Sequence, residues 1–145
     1  VGVDCPPREL VYPPKGVDKT QLNKDLCTKT VHEMRLSDEP FDMIACGKKT
    51  VEARLNDEKR RKISVGDIII FYCKSCLSDM CAVTVVGLRR YDNFLRLFSA
   101  ERLADTGCED MTAGQATQSM YKYYTTEQEE RDGVLAIEIR LIEEQ

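Results

Sequence analysis

Apolar and polar positions change their spacing several times along the chain, and each change marks an element. Between Val31 and Leu36, Val31, Glu33 and Arg35 alternate with His32, Met34 and Leu36, which predicts a strand of period two. Ser37 then offers a helix N-cap, with Glu39 and Pro40 in the first turn. Phe41, Ile44 and Ala45 follow at helical spacing, and Gly47 marks the C-terminal stop. Thr50 to Leu55 alternates again, with Val51, Ala53 and Leu55 on one face and Thr50, Glu52 and Arg54 on the other. A charged connection over 56–62 leads to the Gly66-Asp67 turn signal. The continuous apolar run Ile68 to Cys73 reads as a strand buried on both faces. Lys74 to Met80 reads as a hairpin connection and Cys81 to Leu88 as its second strand.

Beyond Arg90 the period lengthens. Asp92 is read as the cap of a short amphipathic helix carrying Phe94, Leu95, Leu97 and Phe98, and Ala100 to Ala104 as a second helix. Cys108 to Ser119 has no clear period and reads as a loop with a helical part. Thr126, with Glu129 three residues on, reads as a capping box, and Gly133 ends that helix. Val134 to Ile142 alternates as a last strand. The result is an α+β domain, a small mixed β-barrel of about five or six strands with helices inserted around it, whose short turns favour antiparallel pairing.

Residues 1–30 have a different texture. Four of the five prolines lie there, in the pairs Pro6-Pro7 and Pro13-Pro14, which disfavour helix on both sides. This segment reads as a Pro-containing N-terminal extension, draped on the domain or disordered, and the folded domain as residues 31–145.

Length and composition narrow the class. With 145 residues, 42% hydrophobic and 32% charged, one core is expected. No apolar run approaches the ~18 residues of a membrane-spanning helix, so no membrane partner is expected. The seven cysteines are odd in number and irregularly spaced, and no secretory signal opens the sequence. An intracellular setting, cytoplasmic or nuclear, is the expectation. A net charge of -4 excludes coating of nucleic acid by bulk charge, but the charge is polarised. Residues 48–62 hold seven basic and three acidic side chains, whereas residues 101–145 hold 11 acidic and four basic ones.

The densest chemistry is Gly47-Lys48-Lys49-Thr50-Val51-Glu52-Ala53-Arg54. Lys49 and Arg54 can hold a phosphate, and Glu52 can accept hydrogen bonds from a base or act on a water. The plainer alternative is a solvated strand face with a Glu52–Arg54 or Glu52–Lys49 ion pair. Lys59, Arg60, Arg61 and Lys62 extend the basic stretch, with Arg89 and Arg90 on a later strand. Tyr91, Tyr121, Tyr123 and Tyr124 are candidates for stacking on unpaired bases, or for packing against the barrel. Cys73-x-x-Cys76 with Cys81 is half a zinc motif without a second half, a redox-active pair or a set of ordinary hairpin thiols; the last is the expectation, with no metal and no cofactor. His32, the only histidine, reads as structural, which leaves no Ser-His or Cys-His nucleophile.

Gly-Lys-Lys-Thr-Val-Glu-x-Arg, followed by Ser-Val-Gly-Asp before a hydrophobic strand, resembles the ASCH (activating signal cointegrator homology) domain family. Met34-Arg35-Leu36 with Pro40-Phe41, and Tyr123-Tyr124-Thr125 with Glu127, Glu129 and Gly133-Val134, resemble a small stand-alone branch of it. The resemblance runs from about Val31 to Ile142. It implies a PUA-like barrel, RNA or nucleotide binding, and a cleft lined by Lys49, Thr50, Glu52 and Arg54 with Gly47 shaping its floor. Some relatives are hydrolases of RNA or of acetylated cytidine nucleosides. The deacetylase pattern has threonine where this chain has Glu52, and a carboxylate on a later strand where Cys81 to Val86 has none.

Three functions follow as expectations. The first is an RNA- or nucleotide-binding domain using Lys48, Lys49, Thr50, Glu52, Arg54, Lys59, Arg60 and Arg61. The second is a metal-independent hydrolase, a ribonuclease or nucleoside amidohydrolase, with Lys49 and Glu52 as catalytic groups. The third is a protein-interaction module using the acidic C-terminal third.

Overall fold

A computed structural model describes residues 29–142. The reading of an N-terminal extension falls almost wholly on residues outside that range. Within it, five strands and five helices follow one another as β1 (Val31–Leu36), α1 (Asp38–Ala45), β2 (Val51–Leu55), α2 (Glu58–Arg61), β3 (Ile68–Cys73), β4 (Cys76–Tyr91), α3 (Phe94–Ala100), α4 (Ala113–Met120), α5 (Thr126–Asp132) and β5 (Val134–Leu141). No helix among the described residues is long and apolar enough to cross a membrane.

The strands form one curled sheet in the order β1-β3-β4-β5-β2, a half-barrel with helices around it. Three of the four pairings are antiparallel. The sheet is mixed, as expected, and its parallel pairing is β1 with β3, from Val31↔Ile68 to Leu36↔Cys73. A parallel pair needs a long crossover, and α1, β2 and α2 supply it.

β1 and β2 end the strand order, and side chains bridge the seam between them. Arg54 Nη2 donates to the carbonyl oxygen of Arg35 at 2.9 Å, and Lys59 Nζ to that of Glu33 at 2.9 Å. The Glu33 and Arg35 carbonyls of β1 are thereby satisfied by side chains.

β4 departs most from the sequence reading. The connection to it is only Lys74-Ser75, and the strand starts at Cys76 instead of Cys81. Its first five residues are exposed, so no apolar alternation marks them as strand. Nor is β3 buried on both faces: Ile69, Phe71 and Cys73 are buried, and Ile68, Ile70 and Tyr72 half-buried, because one side of the curled sheet looks outward.

The core has two parts. Met34, Leu36, Phe41, Ile44, Ile69, Phe71, Val83, Val85 and Ile137 fill the space between α1 and the sheet. Val51, Leu55, Phe94, Leu97, Phe98, Ala116 and Val134 pack β2 against α3 and α4.

The helix ends show which polar residues hydrogen-bond locally. Asn93, not Asp92, caps α3 by accepting from the Arg96 amide at 2.9 Å. The capping box of α5 is Thr125 with Gln128, one residue earlier than the sequence reading placed it. Glu129 is released from that role and is buried. It accepts the Phe94 amide at 2.8 Å and the Tyr121 hydroxyl at 2.9 Å, tying α5 to the start of α3. Of the helix expected over 100–104 only Ala100 is helical, as the end of α3, with a bend and turns after it, and the helical part of the following loop is α4, boxed by Thr112 and Gln115.

Candidate functional site

Alternation along β2 sends Val51 and Leu55 into the second core region and leaves Glu52 and Arg54 on the opposite side. That side is a recess rather than a solvated face, since Glu52 is only 3% exposed. Lys49, just ahead of the strand, places Nζ 2.8 Å from Glu52 Oε1, and Arg54 places Nε 2.8 Å from Glu52 Oε2. Burial alone would raise the Glu52 carboxyl, but the charges and hydrogen bonds of Lys49 and then Arg54 outweigh it and bring the pKa to about 2. Burial likewise lowers Arg54, while Glu52 and Tyr124 more than compensate and hold it above its ordinary value. Glu52 is therefore a fixed anion near neutral pH. A carboxylate this weakly basic is a poor proton acceptor, so its role is to hold two cations in place.

Lys49, Glu52 and Arg54 line a cleft of about 970 Å³. Around it stand the start of α1 (Ser37 to Pro40), the Lys74-Ser75 turn, the loop Thr106 to Cys108 and the segment from Ser119 to Tyr124. Its lining includes Leu36, Met43, Ala53, Phe98, Met111 and Met120, together with five basic and three acidic side chains. Glu52 already neutralises part of that positive charge. What remains suits a compact ligand with an apolar ring and an anionic group.

The loop at one wall fixes Lys49. The Asp105 carbonyl accepts the Thr50 and Val51 amides at 2.9 and 3.0 Å. Gly107 has φ 80°, and a Cβ there would lie 2.9 Å from Met43 Sδ and 3.2 Å from Lys49 Cδ. Its bare backbone packs on the lysine stem. At the mouth, Lys74 Nζ sits 5.6 Å from the centre of the Tyr123 ring. Asp38 Oδ1 accepts from Ser75 Oγ at 2.5 Å and Cys73 Sγ at 3.1 Å, and these bonds, Ser75 first, lower its carboxyl below the usual range.

The family model described as ASCH domain matches residues 34–143. The chain belongs to the ASCH domain family. Among solved structures, the crystal structure of hypothetical protein PH0355 is 35% identical with a TM-score of 0.70, covering 78% of this chain and 100% of its own. Protein PF0455 from Pyrococcus furiosus, solved by NMR, is 33% identical with a TM-score of 0.64, covering 79% and 100%. A point mutant of ZmASCH from Zymomonas mobilis is 16% identical with a TM-score of 0.52, covering 77% of this chain and 68% of its own, and shows the fold alone. A comparison with proteins of curated function finds no significant match.

Within this ASCH domain, the other motif residues lie elsewhere. Thr50 and Gly47 do not line the cleft. The Thr50 main chain is taken up by Asp105 and Ile139, and Gly47, at φ 81°, turns the chain after α1. Lys48 is exposed outside the cleft. Lys59 closes the barrel seam, Arg60 Nη1 pairs with Asp57 at 2.9 Å, and Arg61 Nη2 pairs with Asp132 at 3.0 Å. Lys59, Arg60 and Arg61 are thus engaged with the domain's own oxygens.

The tyrosines divide in the same way. Tyr91 donates to Glu101 at 2.5 Å and Tyr121 to Glu129. Tyr124 stacks on Phe94 at 5.7 Å with its edge in the cleft. Tyr123, 58% exposed at the rim, keeps a ring face accessible. In the acidic C-terminal third, Glu101 and Glu138 pair with Arg89, and Asp132 with Arg61 and Arg131. His32 pairs with Asp67 at 2.9 Å. Among the described residues no cluster of three His, Cys, Asp or Glu side chains is arranged to hold a metal ion. Sequence reasoning missed Asp38 at the start of α1, Lys74 and Lys122 in turns, and the 106–108 loop, none of which carries a motif.

Proposed function

We propose that this ASCH domain binds RNA by taking one unpaired nucleotide, or a free nucleotide-like ligand, into the cleft floored by Lys49, Glu52 and Arg54. The observation that carries this reading is the convergence of those three side chains beneath a rim bearing the accessible ring of Tyr123. A base stacks on Tyr123 or slides against the methionines of the lining. Its phosphate is drawn to Arg35, Lys74 and Lys122, the cleft cations not paired with a carboxylate among the described residues. Lys49 and Arg54, held by Glu52, present their remaining N–H donors to base or sugar oxygens.

This reading differs from a backbone-tracking mode in its salt dependence. Neutralising about one phosphate gives a slope of log K on log salt near -0.7 for single strands, against roughly -5 for a basic track that neutralises about seven. Titration of fluorescent single-stranded RNA at several salt concentrations tests it. Shallow salt dependence and competition by a free nucleoside monophosphate are expected. A steep slope without such competition would rule the reading out.

A further inference from the structure

Two cysteines that ligand binding does not use are opposed across the strands where β3 turns into β4, with Cys73 Sγ now 3.1 Å from Asp38 Oδ1 and Cys76 Sγ 3.0 Å from Ser78 Oγ. Cys73 ends β3, Cys76 begins β4, and the two are direct cross-strand partners after a register shift between Tyr72 and Cys73. Only Lys74 and Ser75 separate them. Opposed Cα atoms in an antiparallel pair lie about 4.5–5.5 Å apart, inside the range of about 4.4–6.8 Å that a disulfide spans. Among the described residues Cys76 is the one exposed cysteine, and Cys73 is buried beside it. Cys81, the next thiol along β4, is pushed by burial up to about 11 and stays protonated, a poor nucleophile.

This turn is wired to the cleft mouth. Cys73 Sγ and Ser75 Oγ both donate to Asp38 Oδ1, and Lys74 holds its ammonium over Tyr123. Asp38, Lys74, Ser75 and Tyr123 all line the cleft. A change at the sulfur atoms therefore reaches the rim through one residue on either side.

The geometry points to Cys73 and Cys76 as a reversible oxidation site for hydroperoxides that resets the cleft mouth. In the first step the exposed Cys76 thiolate attacks a peroxide oxygen. An S–O bond forms, the O–O bond breaks, and the departing oxygen leaves as water or an alcohol, giving a sulfenic acid. In the second step Cys73 sulfur attacks that of Cys76. The S–S bond forms, the S–O bond breaks, and the leaving hydroxide carries off the Cys73 proton as water. Two electrons pass from the thiol pair to the peroxide, and a dithiol reductant returns them. The hydrogen that Cys73 gave to Asp38 is gone in the oxidised form. Asp38 keeps only Ser75, and closure of the pair pulls Lys74 away from Tyr123. None of this depends on what the cleft binds.

Treating the full chain with hydrogen peroxide and digesting it with trypsin under non-reducing conditions tests the site. Trypsin cuts after Lys74, so the bond holds two peptides together. The expected product is a linked Cys73–Cys76 pair short of two hydrogen atoms, reversed by dithiothreitol, absent in Cys76→Ser and retained in Cys81→Ser. Backbone amide resonances of Asp38, Lys74, Ser75 and Tyr123 should move on oxidation while those of Lys59 to Arg61 stay in place. Overoxidation of Cys76 without linkage to Cys73, or linkage to Cys81 or Cys108 instead, would overturn the proposal. So would a mapped Cys73–Cys76 bond that leaves the Asp38 and Tyr123 amides unmoved.

Discussion

Arg54 and Arg35 are joined by a hydrogen bond from the Arg54 guanidinium Nη2 to the Arg35 carbonyl oxygen, 2.9 Å long. The same guanidinium grips Glu52 through Nε. One side chain therefore closes the seam between β1 and β2 and forms part of the cleft floor, so the site and the barrel share their stability.

Removing Arg54 should be costly for that reason. Arg54→Ala leaves the buried Glu52 carboxylate with one partner and opens the seam at the Arg35 carbonyl, a loss of about 3–5 kcal/mol in unfolding free energy. Arg54→Lys keeps the charge but not the fork that reaches both acceptors, and should recover only part of it. Urea denaturation of both variants checks the order.

Acid should expose the same pair. The folded pKa of Glu52, about 2, lies below its ordinary 4.5, so its stabilising contribution is fully present above about pH 4.5 and lost as pH falls toward 2. The size is on the order of 3 kcal/mol. Urea midpoints measured through this window should fall more steeply for the native chain than for Glu52→Gln. Parallel curves would contradict the assignment.

The helix caps give a sharper local test. Thr125→Ala removes the side-chain cap of α5 and should cost about 1 kcal/mol, whereas Thr126→Ala should stay within about 0.5 kcal/mol. Glu129→Ala strands the buried Phe94 amide and removes the acceptor of the half-buried Tyr121 hydroxyl, and should cost about 2–3 kcal/mol. Thermal unfolding of the three variants ranks them.

Lys59 separates stability from binding. Its ammonium satisfies the Glu33 carbonyl at the seam, so Lys59→Met should lower stability by about 1 kcal/mol and leave RNA affinity within about twofold. A large affinity loss with unchanged stability would return the basic run to the ligand site.

How much of this was legible in the residues depended on whether the pattern was local. The strand at Val51 to Leu55, the turn at Gly66-Asp67 and the amphipathic α3 follow from spacing alone, and the half-barrel with inserted helices was within reach. The parallel β1–β3 pair was not, because a crossover of more than 30 residues leaves no periodic mark. The start of β4 leaves no mark in the sequence because its first five residues are exposed on both faces and show no alternation. Lys49, Glu52 and Arg54 share one short motif, so their side-by-side placement could be read from a strand period of two. Whether that side faced water or a recess depended on walls from four distant segments. Lys59, Arg60 and Arg61 carried the same charge in the sequence as Lys74 and Lys122. Only the folded arrangement separates those paired with the domain's own oxygens from those at the cleft.

Fluorescence anisotropy of a short single-stranded RNA with native protein, Tyr123→Phe, Tyr123→Ala and the double variant Arg60→Ala/Arg61→Ala tests the central claim most directly. The account predicts near-native binding for Tyr123→Phe and for the double variant. It predicts a loss of about 5- to 100-fold for Tyr123→Ala, the worth of one stacked base. Native affinity in Tyr123→Ala, together with loss in the double variant, would contradict it.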